Sequence, residues 1–119
     1  MEEEFKIIKV QFVPTDFKCV CIYSKYIEDI QKYLKENYYV NEDYYNFNTD
    51  GCDDLIHKTD GRQIIIQLKS KDEKIIVHEC VHAVMRWSRL IGQHYPADNH
   101  ELLAYWVEYL FDKIKTELK

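Results

Sequence analysis

The sequence predicts an α+β fold, a small and mainly antiparallel sheet packed on helices, and three observations carry that prediction. Two pairs of strand-like segments are each broken by turn residues, at Pro14-Thr15-Asp16 and at Thr59-Asp60-Gly61. Two helix-length segments with apolar residues at helical spacing occupy the chain beyond residue 70, and a third lies between the hairpins. With 119 residues and no repeat, linker or low-complexity tract, the expectation is one domain over 1–119, large enough for a core but too small for two lobes around a deep cleft.

Taken in order, Phe5 to Val13 sets Phe5, Ile7, Val10 and Phe12 among Lys and Gln, and Phe17 to Tyr23 alternates more cleanly, which makes the first hairpin. Ser24 is a candidate cap for a helix to about Asn37, with Ile27, Ile30, Tyr33 and Leu34 along one side. Residues 38 to 52 break pattern, with Tyr38, Tyr39, Tyr44, Tyr45 and Phe47 among Asn, Asp and Glu, and read as an aromatic-rich loop closing at Asp50-Gly51. Asp54 to Lys58 and Arg62 to Lys69 form the second hairpin; Ile64, Ile65, Ile66 and Leu68 are too continuous for a strand bathed in solvent. Ser70 with Glu73 is a capping-box pattern and Gly92 a stop, so a helix is expected over about 71 to 91. Asp98 then opens a last helix to about Leu118.

The balance of 16 Lys+Arg against 21 Asp+Glu, a formal net charge of -5, and the lack of a basic stripe argue against a nucleic-acid partner. Met1-Glu2-Glu3-Glu4 is the reverse of a signal peptide's basic start, and no apolar run approaches the roughly 18 residues that span a bilayer, so a soluble, unexported, cytoplasmic protein with no membrane partner is expected. Cys19, Cys21, Cys52 and Cys80 are then expected as thiols. Cys19 and Cys21 alternate with Val20 and Ile22, which puts both on one face of a strand.

The chemistry is concentrated at His78-Glu79-Cys80-Val81-His82, an HExxH pentapeptide inside the amphipathic segment 71 to 91. At about 100° per residue the two histidines fall within about 40° of each other, so both imidazoles can reach one Zn²⁺, and Glu79 can work on a water held by that metal. Ile75, Arg86 and Arg89 lie near them, while Val77, Cys80, Val84, Trp87 and Ile91 gather on the opposite side as the packing stripe. Arg86 and Arg89 are candidates for a substrate carboxylate, with pairing to acids or solvent as the plainer role.

A catalytic zinc takes a third protein ligand and keeps a position for water. Met85 and Ser88 stand where a metzincin would need Gly and His, which excludes that class. His78, Glu79, His82, Ala83, Gly92, Asp98, Asn99, Glu101, Ala104 and Tyr105, in that order, resemble the gluzincin class of zinc metallopeptidases, and more closely the small HExxH proteins of bacteriophages and prophages. The resemblance covers about the last 50 residues; the first 60 bring no match. It implies a minimal zincin-like domain, His78, His82 and Glu101 as zinc ligands, and Glu79 as catalytic base.

Two alternatives to Glu101 as ligand stand beside it. Asp98 with Glu101 is itself a capping box, and Glu108 lies on the same helix face. In a simple antiparallel pair of helices, His82 sits about 15 Å before the turn at Gly92, level with a residue nearer Glu108 than Glu101. Tyr105, one turn after Glu101, is a candidate donor to a developing oxyanion, or a packing residue. His57, His94 and His100 are weaker candidates. The functional expectation is a zinc hydrolase acting on a peptide or protein. In it the metal polarises the scissile carbonyl and acidifies a water, and Glu79 moves the proton to the leaving amine. By the resemblance, the strand Arg62 to Lys69 before the HExxH helix would offer an edge to an extended substrate. The alternative is a binding or assembly protein on the same scaffold, phage-encoded in one form of that reading, with a structural or vestigial metal site. Oligomeric state is left open.

Overall fold

The computed structural model describes residues 4–13, 15–38, 51–58, 61–92 and 100–118, arranged as β1(Phe5–Gln11), β2(Lys18–Ser24), α1(Ile27–Tyr38), β3(Gly51–Lys58), β4(Gly61–Leu68), α2(Glu73–Leu90) and α3(His100–Glu117). The class is α+β, as the sequence predicts. The four strands form one sheet in the order β1-β2-β4-β3. The two hairpins are antiparallel, β1 on β2 and β3 on β4, and they join through a parallel seam in which Lys18 lies beside Gln63 and Tyr23 beside Leu68.

The seam overturns one expectation. β4, the strand before the HExxH helix, is paired on both sides and has no edge for a substrate strand; the outer strands are β1 and β3. The reason lies in its composition. Ile64, Ile65, Ile66 and Leu68 are all fully buried, because helices cover both faces of the sheet and apolar residues are then wanted on each.

Pleating sorts the strand residues between the two faces. Cys19, Cys21, Tyr23, Ile64, Ile66 and Leu68 join Ile76, Cys80, Ala83, Val84 and Trp87 of α2 and Leu110 and Ile114 of α3 in the larger core. Val20, Ile22 and Ile65 pack with Ile30, Leu34 and Tyr38 of α1 on the other face. The two cysteines share one face, as their alternation requires.

The helix bounds differ from the expectations at their starts, for local reasons. Ser24 ends β2; its hydroxyl accepts from the Tyr26 N–H and donates to Asp29, and the helix begins only at Ile27. Asp72, rather than Ser70, caps α2 by accepting from the Lys74 N–H, and the Ser70 hydroxyl accepts from the Asp72 N–H one step earlier. Gly92 closes the helix as expected, at φ +81 with its N–H donating to the Arg89 carbonyl. Tyr38, read as loop, completes α1 and donates to Gln63 Oε1 at 2.5 Å; Gly51 and Cys52, also read as loop, open β3. The rest of that aromatic segment, 39 to 50, lies outside the described residues, as do Pro14, Thr59-Asp60, His94 and Asp98.

α2 and α3 run antiparallel across the larger core. Glu73 at the start of α2 pairs with Lys115 near the end of α3, and Trp87 meets the Trp106 ring edge-on at 5.2 Å. Phe12 stacks on Trp87 at 4.7 Å, and the Trp87 indole N–H donates to Thr15 Oγ1 at 3.1 Å, which pins α2 to the first hairpin. Among the described residues no helix is long and apolar enough to cross a membrane.

Candidate functional site

Six residues of α2 decide how the HExxH segment is presented. Ile76, Cys80, Ala83, Val84 and Trp87 face the sheet and α3 and are buried, and Ser88 is buried with them. That stripe turns His78 and His82 outward, and both are exposed. Val77, expected within the stripe, is 39% exposed, although it lies only about 20° around the helix from the buried Val84.

The two imidazoles converge. His78 Nε2 and His82 Nε2 lie 3.2 Å apart, with ring centroids at 4.7 Å and planes tilted by 74°. Two ligands of a tetrahedral zinc, each about 2.0–2.1 Å from the metal, are separated by about 3.3 Å, so the pair fits two of the positions such an ion requires. Without a metal the same distance suits a hydrogen bond in which one ring nitrogen donates and the other accepts.

Glu79 sits on the shoulder between this outward side and the core, with 5% of its surface exposed. Its neighbour Cys80 points inward. Burial, and after it the charge of Glu79, push the Cys80 thiol up to about 12, and burial also raises Cys21 across the core. Both stay protonated thiols and pack within the larger core.

One turn beyond His82 a groove of about 410 Å³ is lined by His82, Met85, Arg86, Arg89 and Leu90. Arg86 and Arg89 therefore share a concavity with a candidate ligand, as their place on the histidine side suggests. Met85 and Leu90, which supply its apolar surface, were not singled out from sequence. Their spacing from His82 and Arg86 along the helix is the signal that finds them.

The other candidates stay apart from the pair. Glu101 is exposed in the first turn of α3, and Tyr105, one turn on, is 63% exposed. The antiparallel contacts at Glu73–Lys115 and Trp87–Trp106 put Glu108 level with His82, and Glu101 level with the end of α2. Glu108 is exposed too. Among the described residues no third His, Cys, Asp or Glu joins His78 and His82 in a group able to hold a metal. His57 falls in β3 and His100 opens α3.

No protein family, curated protein or solved structure matches this chain. The functional reading rests on the residues themselves.

Proposed function

We propose that the protein is a zinc-dependent hydrolase, a small cytoplasmic metallopeptidase acting on peptide or protein substrates. The observation that supports this most is the 3.2 Å approach of His78 Nε2 and His82 Nε2 on the outward side of a helix that is held by its other side. A zinc ion bound there would supply Lewis acidity toward a carbonyl and a water acidified toward neutrality. His78 and His82 hold it through neutral imidazoles. Glu79, adjacent to His78, takes the proton from the water and delivers it to the leaving amine. Arg86 and Arg89 orient a substrate carboxylate in the groove beside His82, and Tyr105 is the proposed donor to the oxyanion. The resemblance to gluzincins assigns the third ligand to Glu101, which requires the first turn of α3 to move toward the pair.

Metal analysis of protein purified without chelator tests the site: about one zinc per chain is expected, and a chain that neither carries zinc nor retains it through dialysis removes the proposal. Glu79→Gln tests the mechanism. Zinc content and folding should hold while cleavage of unstructured peptides disappears, because a base touches only the water. Cleavage surviving in that variant would exclude Glu79 as the base. A second reading, a binding or assembly protein with a structural or vestigial metal, draws support from the outlying positions of Glu101 and Glu108 and the burial of Glu79. A zinc-loaded chain that cleaves nothing across a peptide screen decides for it.

A further inference from the structure

β1 is an outer strand: among the described residues it pairs with β2 alone. The register shows which main-chain groups face away from the sheet. The Phe12 N–H donates to the Phe17 carbonyl at 3.0 Å, so 12 and 17 are a hydrogen-bonded pair, next in register after Gln11↔Lys18. Bonded and non-bonded pairs alternate along an antiparallel ladder, so Lys6, Ile8 and Val10 direct N–H and C=O to β2, while Ile7, Lys9 and Gln11 direct theirs outward.

Beside that edge runs a groove of about 450 Å³, with Ile7, Lys9 and Gln11 on one side and Tyr109, Lys113 and Glu117 of α3 on the other. Tyr109 is 46% exposed and carries the Lys113 ammonium 5.5 Å from its ring centroid. We propose that β1 and this groove dock an extended, acidic segment of a partner protein, which adds to the sheet as a new edge strand.

Charge selects the occupant. Among the described residues neither Lys9 nor Lys113 makes an ion pair, and they share the groove with the single carboxylate of Glu117 in a chain whose formal net charge is -5. Lys6, by contrast, is engaged with Glu4 and with the Glu117 carbonyl, which it reaches at 2.6 Å. A second copy is disfavoured because β1 against β1 gathers the Lys6 and Lys9 of both chains along one seam. Lysines on an outer strand repel strands like their own, and the same charges admit one that alternates apolar and acidic residues. The groove belongs to β1 and α3 and takes no residue from α2, so this inference does not depend on the metal reading.

The test is fluorescence anisotropy of a labelled peptide alternating valine and glutamate, titrated with the full chain. Controls are the valine–lysine counterpart and a version N-methylated at alternate residues. Saturable binding of the acidic peptide is expected, weakened at least about tenfold by N-methylation, by Lys9→Pro, which removes an outward N–H and leaves the β2 ladder whole, and by Lys9→Glu with Lys113→Glu. No binding of the acidic peptide, equal binding of the lysine peptide, or undiminished binding in the double charge reversal overturns the proposal. So does a dimer in sedimentation that the double charge reversal dissociates, which would make the occupant a second copy.

Discussion

The two sides of α2 are built by different demands. Inward, Ile76, Cys80, Ala83, Val84 and Trp87 are buried against the strands and α3. Outward, His78, Val81, His82 and Arg89 are exposed. The inward side accounts for the helix and its seat on the sheet; nothing in folding asks for two imidazoles one turn apart on the other. A residue that stabilises and a residue proposed to react, Cys80 and Glu79, are thus neighbours in sequence.

The strongest blow to that division should come from inside. Trp87→Ala removes the stack on Phe12 and the contact with Trp106, and is expected to destabilise the protein by about 3–5 kcal/mol in urea denaturation. A loss below about 1 kcal/mol would mean that the inward side does not seat the helix. Next in size is the effect of metal on the outward side. Zinc at about 100 times its dissociation constant should raise stability by about 2.7 kcal/mol. His82→Ala should abolish that gain and leave the metal-free stability within about 0.5 kcal/mol of the parent. If His82→Ala instead unfolds the metal-free chain, the outward side is structural and the contrast fails. The smallest effects concern the third ligand. Glu101→Gln is expected to lower zinc affinity by isothermal titration more than Glu108→Gln does; the reverse order transfers the ligand to Glu108, which already lies level with His82.

Much of this was legible in local sequence. The spacing of Ile76, Cys80, Ala83, Val84 and Trp87 marks a helix with one buried side, and the same spacing exposes His78 and His82. Gly92 marks its end because only a residue free of a Cβ adopts φ +81 without strain. The pairing order was not legible, because which strands adjoin depends on contacts between distant segments. β4 does carry the hint: a run of Ile64, Ile65 and Ile66 belongs to a strand covered on both faces, which is seldom an edge. The starts of α1 and α2 were misplaced because several hydroxyl and carboxylate groups compete for each cap, and Ser24 and Ser70 bind N–H groups just short of the helices they were expected to open. Whether Glu101 or Glu108 comes level with His82 was not legible, since spacing along α3 fixes a face but not how far that helix slides against α2.

The parallel seam between β2 and β4 governs how the chain assembles. Each hairpin can close from neighbours in sequence within microseconds, but Lys18 reaches Gln63 only after α1 and β3 have been brought around between them. Joining the halves closes a far longer loop than either hairpin turn does, and it brings together strands that both cores share. Pulse-labelling hydrogen exchange would therefore find amides across β1 and β2 protected early and those of β4 facing β2 protected last, together with α2. The candidate zinc ligands would then reach their final setting only when the two halves of the chain have met.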